Sequence, residues 1–93
     1  RQMRLIGELK SNNRIVKTNT VELKDSNVFY NDFRSDFESL FLKMCRDFDI
    51  PVPVWLSKNT KELSRYRKTF FSKDHFIGDI SFDEFIIKLE LET

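Results

Sequence analysis

Ninety-three residues with 16 Lys and Arg against 15 Asp and Glu give a net charge of +1, and a chain of this length makes one domain around a single modest core. Hydrophobic residues at 40% with only two Gly and two Pro exclude a disordered, collagenous or low-complexity chain, and no apolar run approaches the roughly 20 residues of a bilayer-crossing helix. A charge this near neutral also falls short of the strongly basic character of a dedicated nucleic-acid module.

Ten Phe promise an aromatic core, because each ring removes a large apolar area from water. The single cysteine, Cys45, has no partner for an internal disulfide and lies beside Met44 on an apolar stripe, so it reads as a small buried hydrophobe. With no secretory pattern at the start of the sequence, the expected location is cytoplasmic.

In chain order, RLIGELK alternates Met3, Leu5, Gly7 and Leu9 against Gln2, Arg4, Glu8 and Lys10, the period of a half-buried strand, with Ile6 interrupting its polar side. SNN at Ser11 to Asn13 is turn chemistry, and the β-branched run RIVKTNTVEL completes a hairpin. Ile15, Val21 and Leu23 share one parity and Val16, Thr18 and Thr20 the other, which implies a bulge near Lys17 to Asn19 or a sheet apolar on both faces. Phe33, Phe37, Leu40, Phe41, Met44, Cys45 and Phe48 then recur at helical spacing, with Asn31 or Asp32 as cap and Pro51 and Pro53 beyond the end.

PVPVWL reads as extended, with Val52, Val54 and Leu56 on one side and Trp55 on the other. Asn59 followed by Glu62 resembles a capped helix start, so a short helix is expected from near Thr60, its inner residues being Leu63, Tyr66 and Phe70. Lys61, Arg65 and Lys68 would form a stripe on another face. FDEFIIKLELE is the clearest strand, with Phe85, Ile87, Leu89 and Leu91 on its apolar side. The predicted fold is therefore α+β: a small antiparallel sheet of about three strands with the helices packed on one face. No linker or repeat marks a second domain.

Little of the sequence suits catalysis. His75 is the sole histidine, which rules out His-pair metal sites, and with Gly7 and Gly78 as the only glycines no phosphate-cradling motif can be written. Neither Ser72 nor Cys45 is placed against His75 by any motif, and Asp79, Asp83 and Glu84 are not spaced as a calcium loop. No catalytic residue, metal or cofactor is assigned.

Charge distribution says more. Residues 54–73 hold six cations and one anion, and residues 74–93 hold one cation and six anions, so a segment of +5 runs directly into one of −5. One reading sets Lys58, Lys61, Arg65, Arg67 and Lys68 on phosphates with Trp55 as an aromatic contact. The other makes SRYRKTFFSKD a helix end over the core, its cations solvated or paired with the acidic strand. Ile6, Val16, Thr18 and Ile86 would face away from the helices, which points to a homodimer or a protein partner on the second face.

PVPVWLSKNTKELSRYRKTFF followed by FDEFIIKLELE resembles small uncharacterised bacterial cytosolic proteins, over most of the chain. That resemblance implies a bacterial cytosolic origin and transfers no site. The expected function is a non-catalytic protein-interaction or assembly module, with a small nucleic-acid-binding protein as the alternative.

Overall fold

The computed structural model describes residues 2–23 and 33–92. Gln2–Ser11 (β1) and Arg14–Leu23 (β2) form the expected hairpin. Its turn passes through Asn12 and Asn13 at φ of 54° and 65°, left-handed geometry to which Asn is better suited than most residues. The register slips between Leu9↔Lys17 and Lys10↔Ile15, so Val16 is the extra residue of a bulge lying closer to the turn than the Lys17 to Asn19 expectation. Ile15 and Val16 are both exposed there.

The helix Phe33–Phe48 (α1) buries Phe37, Leu40, Phe41, Met44, Cys45 and Phe48, as the spacing predicts, but Phe33 at the head of the predicted stripe is exposed and Asp36 is buried in the first turn. Its expected caps, Asn31 and Asp32, lie outside the described residues. The C-terminal end closes before the prolines act. Asp49 takes φ 57°, its N–H reaches Arg46 O at 3.0 Å, and Ile50 N–H reaches Cys45 O at 3.0 Å, a Schellman closure.

A second helix, Ser57–Tyr66 (α2), starts about three residues before the expected point. Asn59 is therefore inside the first turn, and its Oδ1 accepts the Leu56 N–H at 2.9 Å instead of capping from outside. The helix stops at Arg67, which holds φ 59°. Lys68–Ser72 (β3) follows, where the sequence reading continued the helix. Thr-Phe-Phe favours a strand once the left-handed residue has broken the helix. The remaining strand, Glu84–Glu92 (β4), is the one read from FDEFIIKLELE.

Among the described residues the sheet has four antiparallel strands in the order β2-β1-β4-β3, one more than the sequence suggested. Helix α1 lies on one face, over β1 and β2, whereas α2, expected on that face too, runs along the β3 edge and reaches residues of both parities, Thr69 through Asn59 and Glu62 and Phe70 through Lys58. On that face α1 sits so close to β1 that a Cβ at Gly7 would come within 2.7 Å of Met44 Sδ, which explains the smallest side chain in the middle of the strand. At the other edge, α2 packs along β3 with Leu63 in the core. Tyr66 and Phe70, expected inside, are exposed instead, and Phe71 takes the core position. An aromatic chain joins the layers: the Phe41 ring lies 5.6 Å from Phe71 and from Trp55 and 6.1 Å from Phe85. No helix among the described residues is long and apolar enough to cross a membrane.

Candidate functional site

The face of the sheet turned away from α1 is set by register. Lys68, Phe70 and Ser72 of β3 stand opposite Lys88, Ile86 and Glu84 of β4, and those in turn stand opposite Ile6, Glu8 and Lys10 of β1. Ile6, Thr18 and Ile86 thus face outward as their parity predicts. Ile86 is nonetheless only 6% exposed, because Phe70 and the long polar side chains around it shelter it.

Charge is divided unevenly over this face. On the β1–β2 half, Arg4 pairs with Glu90 at 3.2 Å and with Glu22 at 3.5 Å, and Lys10 stands opposite Glu84. On the β3–β4 half, Lys68 stands directly opposite Lys88. Lys58, from the first turn of α2, places its ammonium 4.3 Å from the centroid of the Phe70 ring. Lys61 and Arg65 follow on α2 one turn apart, both exposed, and Arg67 is exposed at the helix end. Among the described residues, none of Lys58, Lys61, Arg65, Arg67, Lys68 and Lys88 is in an ion pair.

Two acids of the segment that follows in sequence, Asp83 and Glu90, are paired with Lys73 and Arg4, while Glu84 stands opposite Ser72 on this face. Asp83 accepts the Asn12 N–H at 2.8 Å and meets Lys73 at 3.6 Å. Those two interactions, the backbone bond first, hold its carboxyl below the usual range. Glu90 belongs to Arg4. Glu62, the one acid on α2, accepts the Thr69 hydroxyl at 2.6 Å. It completes a buried network in which Asn59 Nδ2 donates to Thr69 Oγ1 at 2.8 Å and to Phe70 O at 3.2 Å. That network pins α2 to β3, so the cations of both elements are carried on one rigid unit.

Of the residues proposed from sequence, Lys58 and Lys68 come together around Phe70, while Lys61 and Arg65 are exposed along α2 and Arg67 at its end; they are not one helical stripe, since Lys68 belongs to β3. Trp55 is drawn into the aromatic core beside Phe37, Phe41 and Phe71, and its indole N–H is given to Thr60 at 2.8 Å. Phe70 is the ring the cations surround. Lys88 was missed for the same reason, since only strand pairing brings it opposite Lys68.

Of the remaining reactive groups Ser72 and His75 are neighbours, Ser72 Oγ lying 3.3 Å from His75 Nδ1, a pairing that no sequence motif announces, and among the described residues no acid bonds the other ring nitrogen. His75 is buried in the one-turn 3-10 helix Lys73–His75, its ring edge-on to Phe71 at 5.5 Å. Its Nδ1 accepts the Ser72 N–H at 3.2 Å, and Nε2 has no hydrogen-bond partner. Burial pushes the Cys45 thiol up to about 11, which leaves it protonated and unreactive near neutrality. Among the described residues no group of three or more His, Cys, Asp or Glu is gathered to hold a metal ion. No protein-family model, curated protein or solved structure matches this chain, so its function has to be argued from its own residues.

Proposed function

We propose that the chain is a non-catalytic interaction module whose working surface is the cationic side made by α2, β3 and β4, and whose partner carries negative charge. One observation carries the reading. Six cations of α2, its end, β3 and β4 have no ion-pair partner among the described residues, while Glu90, Asp83 and Glu62 are committed to Arg4, Lys73 and Thr69 and the acids Glu8 and Glu84 border the cations. A surface of solvated charges scattered at random would mix both signs.

Two costs support it. Lys68 opposite Lys88 is a destabilising cross-strand pair that a bound anion would make favourable. Of the four non-glycine residues at positive φ among the described residues, three are Asn or Asp, and the fourth is Arg67, placed where Gly would be cheaper. The non-catalytic part of the reading is supported by the unreactive Cys45 thiol and by a buried Ser72–His75 pair whose Nε2 meets no acid among the described residues. A cytoplasmic location fits a chain with a single, buried thiol.

The test is retention on immobilised heparin across a salt gradient. The wild type is expected to be retained and the Lys61→Glu/Arg65→Glu variant to elute at clearly lower salt; equal elution of the two would refute the reading.

A second reading, self-assembly, is favoured by the edge strand β2, where Ile15 and Val16 are each at least half exposed beside the bulge. Pairing of two β2 edges would bury them. It predicts a concentration-dependent dimer in sedimentation equilibrium that Val16→Lys abolishes, and a monomer at every concentration would exclude it.

A further inference from the structure

We propose that the anionic partner is a single-stranded nucleic acid, and that Phe70 is the platform on which one of its bases stacks. The inference rests on the cationic-surface reading above and adds the class of ligand. A polyanion of any kind would satisfy the lysines; the ring is what discriminates. Phe70 is 37% exposed, an unusual position for Phe on a sheet face flanked by charge. Its cross-strand partner Ile86 supports it from one side, and α2 closes the other side of β3. The ring is thus held in place and open to the face.

Around it the cations have the spacing a backbone needs. Lys58 lies against the ring itself, and Lys68 is two residues along the same strand, with Lys88 across from it. A base seated on Phe70 therefore brings its neighbouring phosphates toward Lys58 at the α2 edge and toward Lys68 and Lys88 at one end of the ring, with Ser72 and Glu84 at the other end, the combination of stacking and backbone neutralisation that serves unpaired strands. Arg65 and Arg67 extend the charged track along α2 to its end.

The bound state displaces one contact. Lys58 must leave the face of Phe70, forfeiting an exposed cation–π contact that accounts for about a 2- to 5-fold effect. Base stacking on an aromatic ring contributes about 5- to 150-fold, and the released ammonium then meets a phosphate. The exchange favours the base. Glu8, opposite Ile86, bounds the track on its β1 side, and Glu84, two residues before Ile86 and opposite Ser72, ends it beyond Phe70. A narrow track of this kind suits a single strand better than a duplex, whose bases offer no free ring face.

The experiment compares three probes at one ionic strength: a labelled short oligothymidylate, a duplex of equal length and inorganic polyphosphate of similar charge. The expected result is tightest binding of oligothymidylate. Phe70→Leu should lower that affinity about 5- to 150-fold while leaving polyphosphate binding unchanged. Phe70→Trp should preserve it and show fluorescence quenching on binding. Lys68→Gln should weaken oligothymidylate and polyphosphate alike. Equal affinity for oligothymidylate and polyphosphate, indifference to Phe70→Leu with no quenching in Phe70→Trp, or preference for the duplex would overturn the base-stacking inference while leaving the cationic surface intact. Failure of all three probes to bind would overturn the cationic-surface reading itself.

Discussion

Lys68 of β3 and Lys88 of β4 are direct cross-strand partners on the open face of the sheet, two like charges in a position where the neighbouring β1–β4 pairs include Lys10 against Glu84 and Arg4 against Glu90. Directly opposed like charges weaken a sheet. Lys88→Thr is therefore expected to stabilise the fold by about 0.5 kcal/mol in urea denaturation and at the same time to weaken retention on heparin. A gain in stability with unchanged retention would make the pair a simple surface flaw.

Arg67 ends α2 in a left-handed conformation, its N–H bonded to Leu63 O at 2.9 Å and its carbonyl accepting the Leu89 N–H at 2.8 Å. Glycine adopts that conformation without the Cβ penalty. Arg67→Gly should raise stability by about 0.5–1 kcal/mol, visible as a higher Tm, with weaker binding of polyanions. A lower Tm would mean that the arginine side chain stabilises the turn.

The buried amide of Asn59 serves Leu56 N–H, Thr69 Oγ1 and Phe70 O together. Asn59→Ala leaves the first and last of these without a partner, at a cost of about 2–4 kcal/mol in urea denaturation. Because the network joins α2 to β3, faster hydrogen exchange is expected at Thr69 and Phe71, with the β1–β2 hairpin unaffected.

Acid should act through Asp83 among other groups. Its carboxyl is held below the usual range by the Asn12 N–H and, secondarily, by Lys73. The folded value lies below the unfolded one, so the stabilisation is present above the unfolded carboxylate pKa of about 3.9 and fades as pH falls through the lower folded value. Asp83→Asn should lower Tm at neutral pH, and the difference from wild type should vanish in strong acid. A difference that persists in strong acid would assign the effect to packing.

Sequence periodicity made α1, the hairpin and β4 legible because each presents many apolar residues at one unbroken spacing. It failed at β3 for a physical reason. Leu63, Tyr66 and Phe70 fit a helical spacing, whereas only Thr69 and Phe71 testify to a strand. The residue that breaks the helix is an arginine, where a glycine would have signalled the stop. The same gap hid half of the candidate site. Lys58, Lys61 and Arg65 were visible as a local cluster, but Lys88 joins them only through strand pairing. Phe70 in place of Trp55 as the exposed ring depends on which of two adjacent phenylalanines, Phe70 or Phe71, the strand turns inward.

The most direct measurement is an NMR titration of the nitrogen-15-labelled protein with oligothymidylate, following every backbone amide. The account predicts shifts concentrated at Lys58, Arg65 to Phe70 and Ile86 to Lys88, with the β2 edge from Arg14 to Thr20 unmoved. Shifts centred on that edge, or none at all, would contradict it.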